Sequence, residues 1–272
     1  MTTPTDGSPL GKPTAYPDRY DPSQLFSIDR SAGREALGIR GELPFSGVDL
    51  WTAHEITWLD RDGKPQVAVG EFRVGADSPS LVESKSLKLY LGSFAQERAG
   101  TATDLAETIR RDLARACGAS VAVALLPVAA DAGIGALPGE SIDAISTTID
   151  TYVRTPELLA NRTGNVEETL RSALFRSNCP VTGQPDYADV MIHYRGGRID
   201  REALLKYLVS YRLHAAFHES CVEQIFVDIA ERCRSECLTV YARFLRRGGV
   251  DINPFRSNFE QPPMHGKRTS RQ

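Results

Sequence analysis

The chain has no long apolar run, few cysteines and almost no net charge, and each shortage removes a class of function. A membrane-spanning helix needs roughly 18 apolar residues. The nearest approach, 119–130, is interrupted by Pro127 and followed by Asp131. The first thirty residues hold five prolines and four aspartates but no apolar stretch of the kind that directs secretion. With 32 Lys and Arg against 35 Asp and Glu, the formal charge is only -3, so nothing global attracts nucleic acid or an anionic bilayer. Five cysteines, an odd number in 272 residues, do not read as a disulfide framework; they read as reduced thiols in a reducing compartment. The expectation is a cytoplasmic protein with no membrane and no nucleic acid as partner.

What is present is the composition of a globular protein, 41% hydrophobic and 25% charged, long enough for one large domain or two modest ones. Residues 1–40 are rich in Pro, Asp, Gly and Ser without periodicity, which predicts an arm. Alternation over 50–59 and 66–74 around Asp62-Gly63 predicts a hairpin. Leu87, Tyr90, Leu91 and Phe94 form a helical stripe. Thr103 is a candidate cap for a second helix whose buried line is Leu105, Ile109 and Leu113, and 121–126 reads as a buried strand. After a Gly/Pro-rich link the order returns: strands at 166–176 and 188–195, a helix capped by Asp200, a longer helix burying Val222, Ile225, Phe226, Ile229, Ala230 and Cys233, and a strand at 239–245. Hairpin, helices and strand are thus written twice. The expected class is α+β, with antiparallel sheets and helices on one face. The expected division is an arm at 1–40, a first half at 41–150, a second at 151–260 and a polar tail at 261–272.

Four segments could carry chemistry. In Arg176-Ser177-Asn178-Cys179-Pro180-Val181-Thr182-Gly183-Gln184-Pro185-Asp186 a thiol sits on a loop stiffened by two prolines, and a carboxyl seven residues later can fold back to move its proton. A packed cysteine and a turn-forming aspartate would give the same spacing. Phe217-His218-Glu219-Ser220 opens the long helix, where a carboxylate can accept paired hydrogen bonds from an amidine or guanine edge beside an imidazole; Glu219 could equally serve the helix dipole alone. Val82-Glu83-Ser84-Lys85-Ser86-Leu87-Lys88 opens the first helix, with Lys85 and Lys88 on one face suited to phosphate, or simply solvated. Glu83-Ser84 and Glu219-Ser220 are expected at equivalent places in the two halves. Arg243 to Gly249 places arginines beside two glycines, a possible phosphate fork or an exposed strand end.

Two signals point elsewhere and weaken on inspection. Gly133-Ile134-Gly135-Ala136-Leu137-Pro138-Gly139 has proline where a dinucleotide fingerprint needs its third glycine, so a nicotinamide cofactor would bind outside a Rossmann fold. His214, His218 and Cys221 could bind zinc with Cys233 or Cys237, yet Cys233 continues an apolar stripe.

Taken together, the segments resemble the 7-cyano-7-deazaguanine reductases, the nitrile reductases of queuosine biosynthesis, in their long two-half form. The resemblance runs from Leu43-Pro44-Phe45 to Asn253-Pro254-Phe255-Arg256-Ser257-Asn258. Its specific pieces are Glu83-Ser84-Lys85-Ser86-Leu87-Lys88-Leu89-Tyr90, Ser177-Asn178-Cys179, Gln184-Pro185-Asp186, Phe217-His218-Glu219 and Arg246-Arg247-Gly248-Gly249-Val250-Asp251-Ile252-Asn253-Pro254. It implies tandem tunnelling-fold halves closing into an oligomeric barrel, as a homodimer or larger homo-oligomer. It further implies Cys179 as the nucleophile forming a thioimide with the nitrile and Asp186 as acid/base. Val82, Glu83, Ser84, His218 and Glu219 would be substrate contacts, and Ser84, Lys85, Arg247 and Gly248 contacts to NADPH, with no metal. Two other readings stay open: a zinc-dependent pterin-type enzyme on the same fold, using Cys179 or His214 and His218 as ligands, and a non-catalytic RNA-binding module using Arg243, Arg246 and Arg247.

Overall fold

In the computed structural model, described for residues 16–128, 133–264 and 268–272, the chain is a mixed α+β protein built as two compact units. One comprises Met1–Arg34, Asp49–Asp131 and Arg246–Asp251; the other comprises Glu35–Val48, Ala132–Leu245 and Ile252–Gln272. The units therefore exchange segments along the chain, whereas the expected halves, 41–150 and 151–260, are contiguous.

In the first unit, a short strand β1 (Ser27–Asp29) precedes the small helix α1 (Ser31–Glu35, whose last residue belongs to the second unit). Next come the hairpin β2 (Ser46–Leu59) and β3 (Pro65–Gly75), strand β4 (Ser80–Val82), helices α2 (Ser84–Gly92) and α3 (Ala102–Cys117), and strand β5 (Val121–Leu126). The strand order is β5-β3-β2, with Val69 opposite Leu126 and Val74 opposite Val121. The hairpin turn closes through Asp60, whose backbone N–H donates to Lys64 O and whose carboxylate accepts the Asp62 and Lys64 amides. Helix α3 is capped by Thr101, not Thr103: the Thr101 hydroxyl accepts from the Asp104 amide while the Asp104 carboxylate accepts from the Thr101 amide. Its buried line, Leu105, Ile109 and Leu113, is as expected, and Asp112 and Cys117 join it.

Part of the expected arm is structured. Ser27–Asp29 pairs with Ser80–Val82, and Arg30 is buried against Asp49 at 2.5 Å. An extended segment without apolar periodicity gives no signal when it is recruited as an edge strand by residues fifty positions away.

The second unit repeats the order. After the two-residue strand β6 (Glu140–Ser141) come the long hairpin β7 (Asn161–Asn178) and β8 (Pro185–Ile199), helices α4 (Arg201–Ser210) and α5 (His218–Cys233), and strands β9 (Cys237–Phe244) and β10 (Val250–Ser257). The strands run β10-β9-β8-β7-β6, antiparallel except where β6 lies parallel to β7. Asp200 caps α4 as expected, accepting the Glu202 and Ala203 amides. In α5, Val222, Ile225, Phe226, Ile229 and Cys233 are buried, and Ala230 lies at the margin. Strand β10 had no sequence signal because Pro254 interrupts it; every residue of β9 and β10 is buried.

The duplication is legible in detail. Tyr90 is the seventh residue of α2 and Tyr207 the seventh of α4; Asp112 is the eleventh of α3 and Asp228 the eleventh of α5. In each unit the tyrosine donates to the aspartate, at 2.8 Å and 2.5 Å respectively. Three residues later Ser93 and Ser210 each turn a hydroxyl back onto that tyrosine's carbonyl. A buried carboxylate must be answered by donors; Tyr20 completes the first pair and Arg154, bidentate, the second. This alignment makes Glu83 the counterpart of Asp200, since Glu83 caps α2 and Asp200 caps α4. Glu219 instead opens the second helix of its unit, so the expected equivalence of Glu83 and Glu219 does not hold.

No helix among the described residues is long and apolar enough to cross a membrane. The putting-in of charge is managed by pairing: Arg256, fully buried, donates from Nε and Nη2 to Glu223 at 3.1 and 2.9 Å, and from Nη1 to the carbonyls of Val48 and Phe255. Its guanidinium lies 5.6 Å from the Phe45 ring, joining the Leu43-Pro44-Phe45 and Asn253 to Asn258 segments. Replacing Arg256 by Met leaves the Glu223 carboxylate buried without its guanidinium. The expected cost is about 3–5 kcal/mol of stability, read as a lowered denaturant midpoint.

Candidate active site

The thiol loop in the second unit is a tight reversal between β7 and β8. Ser177 lies opposite Asp186 and Asn178 opposite Pro185. The Cys179 amide donates to Gln184 O at 2.9 Å and the Gly183 amide to Cys179 O at 3.0 Å, with Gly183 at φ 67° supplying the left-handed residue. From the other side, the Asn178 amide donates to His214 O at 2.8 Å and the Ala216 amide to Asn178 O at 3.1 Å. The chain approaching α5 is thus bonded to the residue preceding the cysteine. Cys179 is held on both sides and is 8% exposed.

That same approach delivers His218 to the first position of α5. Its Nε2 lies 3.3 Å from Asp186 Oδ2, and its ring stacks on Phe244 of β9 with centroids 3.9 Å apart and planes 7° from parallel. The Phe244 position is fixed in turn because Ala188, two residues after Asp186, pairs with it across β8 and β9. His218 Nδ1 is buried and has no hydrogen-bond partner among the described residues. Asp186 and Glu219 are each 2% exposed. Burial pushes the Cys221 thiol up to about 12; a Ser177 hydrogen bond opposes this, and the nearby charges of Asp186 and Glu219 add to it. Those carboxylates therefore gather round one part of α5. The geometry unites Asp186 with His218 and brings the thiol turn and Glu219 onto the same framework. Tyr187, following Asp186, is 38% exposed and faces the Arg176 guanidinium at 5.9 Å.

The remaining expected residues belong to the first unit. Glu83 is 1% exposed and caps α2, its oxygens accepting the Lys85 amide at 2.7 Å and the Ser86 amide at 2.8 Å, with Ser84 Oγ at 3.4 Å. Val82 is buried and pairs with Ser27. Arg247-Gly248-Gly249-Val250 is a tight turn, and a Cβ built on Gly248 would lie 3.4 Å from Lys88 Cδ and Cε and 3.5 Å from its Nζ. The turn and the lysine-bearing face of α2 are therefore neighbours. Three cations, Lys85, Lys88 and Arg247, with a glycine turn that allows close backbone approach, make a donor set suited to a phosphate-bearing cofactor.

Phe244 lies inside an arginine-rich run and carries no sequence signal of its own, since only strand pairing brings it to His218. Arg243, in that run, is 5% exposed, so the three arginines do not form one basic surface. Among the described residues no group of three or more His, Cys, Asp and Glu side chains is placed to hold a metal. The 127–140 link lies partly outside the described residues, as do most of the arm and part of the tail.

Comparison with known proteins gives one answer. Residues 16–125 match the family described as nitrile reductase, 7-cyano-7-deazaguanine-reductase N-term, and residues 185–263 match the family described as QueF-like protein. A protein of Bordetella pertussis named NADPH-dependent 7-cyano-7-deazaguanine reductase is 53% identical over 268 residues, covering 97% of this chain and 98% of its own. Proteins of the same name from Burkholderia multivorans and Burkholderia orbicola are 52% and 51% identical, again over 97% of this chain and 98% of theirs.

The five thiols should differ sharply towards an alkylating reagent. Burial holds Cys221 protonated up to about pH 12 and Cys233 up to about pH 11, because a thiolate there loses its hydration. In the folded protein at pH 8, iodoacetamide is expected to label Cys179 well before Cys221 and Cys233, as read by peptide mass spectrometry. Raising the pH to 9.5 should not bring the latter two into reaction.

Proposed function

The chain belongs to the 7-cyano-7-deazaguanine reductase family of nitrile reductases, and we propose that it works through a covalent thioimide on Cys179. It is an NADPH-dependent oxidoreductase that converts the nitrile of 7-cyano-7-deazaguanine to the aminomethyl group of 7-aminomethyl-7-deazaguanine, in queuosine biosynthesis.

The observation that carries the mechanism is the contact between Asp186 and His218 on the framework that pins the Cys179 turn. A nitrile carbon is a modest electrophile, and a thiolate is a strong nucleophile close to neutrality. As the S–C bond forms, one π bond of the C≡N group breaks. The thiol proton passes by way of Asp186 to the nitrile nitrogen, leaving an N–H thioimide with no net gain or loss of protons. His218 orients the Asp186 carboxyl from one edge of its ring, and its buried Nδ1 is assigned to the substrate. Glu219 answers the guanine-like edge of the deazaguanine ring, since buried donors left unmet would cost about 1–3 kcal/mol each. Val82, Glu83 and Ser84 are assigned as further substrate contacts.

NADPH, when bound, supplies a hydride for each of the two reductions that take the nitrile to the amine. Ser84, Lys85, Arg247 and Gly248 would hold it, the cations facing its phosphates and Gly248 allowing backbone approach. The repeated anatomy of the two units supports reading them as tandem tunnelling-fold halves. The same reading makes the working form a homodimer or larger barrel-shaped assembly, in the cytoplasm.

Intact-mass measurement after mixing the protein with 7-cyano-7-deazaguanine in the absence of NADPH should show a gain of one ligand mass. Cys179→Ala is expected to lose both that gain and all turnover. Normal reduction by Cys179→Ala would overturn the mechanism.

A further inference from the structure

We propose that His54 is a positioning residue for NADPH, acting through the Arg247-Gly248-Gly249-Val250 turn; this rests on the assignment of Arg247 and Gly248 as cofactor contacts. The turn is intrinsically loose. Its two central residues are glycines at φ 59° and 81°, both left-handed as a two-residue hairpin turn of this kind requires. Glycine is the residue that loses most conformational freedom when ordered. The turn's own closure is one reciprocal pair of backbone bonds, Arg247 N to Val250 O at 2.9 Å and Val250 N to Arg247 O at 3.3 Å.

His54, in the middle of β2, grips this turn twice. Its backbone N–H donates to Gly249 O at 2.8 Å, holding the tip. Its imidazole Nε2 meets Asp251 Oδ2 at 2.5 Å, holding the residue that follows the turn, with the two side chains 9% and 0% exposed. A buried, charge-assisted hydrogen bond is the strong kind, and water competes little for it. The buried residues of β2 change parity at this point, from Trp51 and Ala53 to Ile56 and Trp58, so the strand locally departs from strict alternation where it meets the turn. The consequence is placement of charge. With the turn fixed, Gly248 lies against the Lys88 stem and Arg247, the residue before it in the turn, is held with it. A polyanionic cofactor reads such a set as a unit. Cys179, Asp186, His218 and Glu219 belong to the other unit.

The test compares His54→Ala, His54→Gln and His54→Phe. The Gln amide can present a donor to Asp251 in place of Nε2, whereas Phe fills the space without one, and all three keep the backbone bond. Calorimetric titration of each protein with NADPH alone should give a Kd raised roughly tenfold for Ala and Phe, equivalent to about 1.4 kcal/mol, and near wild type for Gln. KM for NADPH should follow Kd. KM for the nitrile and the NADPH-free ligand adduct seen by intact mass should stay at wild-type values. An unchanged Kd in His54→Phe, failure of Gln to restore binding, or loss of adduct formation alongside NADPH binding would each overturn the proposal. Should His54→Ala not fold, the Gln and Phe pair, close to histidine in bulk, still decides. Absence of the adduct in the wild-type protein would instead refute the Cys179 mechanism, leaving the NADPH titrations to judge His54 separately.

Discussion

The stacked contact between His218 and Phe244 sets the geometry at the start of α5 in the second unit. An imidazole on a helix N-terminus has two rotatable bonds and could point in several directions. Here a flat aromatic face 3.9 Å away fixes its plane, and Asp186 at 3.3 Å fixes its rotation within that plane. Parallel stacking is a less common arrangement than an offset or edge contact between aromatic rings, so the geometry is imposed by the strands rather than chosen by the rings. Asp186 and Phe244 come from neighbouring strands whose register, Ala188 opposite Phe244, places both beside the start of α5. A slip of one residue would turn either side chain to the opposite face. The register of β8 on β9 therefore also sets the contact between Asp186 and His218.

The same economy governs the buried charges. Each unit keeps an aspartate deep between its two principal helices, met by a tyrosine from the partner helix and by a second donor, Tyr20 or Arg154. Burial beside these carboxylates pushes the Tyr90 and Tyr207 phenols up, so they stay protonated and remain donors. A helix rotated by one residue would strand the carboxylate, which costs more than the pair contributes when made. Fixing the pose of α5 matters because its first turn carries His218 and Glu219, and fixing α2 matters because its first turn carries Ser84 and Lys85.

Much of this was legible in the sequence, and the rest was not for physical reasons. Helical stripes such as Leu87, Tyr90 and Leu91, and the alternation flanking Asp62-Gly63, record the burial that forms them. The Cys179 turn was readable from its prolines and Gly183. Strand β10 escaped because Pro254 breaks the usual signature and total burial erases alternation, and Thr101 lost to Thr103 because two hydroxyl residues precede one helix. The pair of His54 and Asp251 spans 197 positions, and Phe244 meets His218 only through strand pairing; no local pattern encodes either. Roles for the site residues came from the family resemblance, since a cysteine, an aspartate and a histidine at those spacings are equally compatible with ordinary packing.

In the proposed mechanism, proton accounting distinguishes the two members of the acid/base pair. Addition of a thiol across a nitrile is proton-neutral, so Asp186 need only relay a proton already present at the site. Each later reduction takes up a proton together with its hydride, and that proton must come from solvent. Asp186, with 3% of its side chain exposed, is poorly placed to collect it alone, and His218 meets it through Nε2 with Nδ1 buried. The proposed mechanism therefore gives the buried carboxyl to the reacting nitrogen and leaves the histidine to orient it. Under that mechanism the histidine must be held as tightly as the cysteine: a ring free to swing outward would leave the Asp186 carboxyl without its orienting partner.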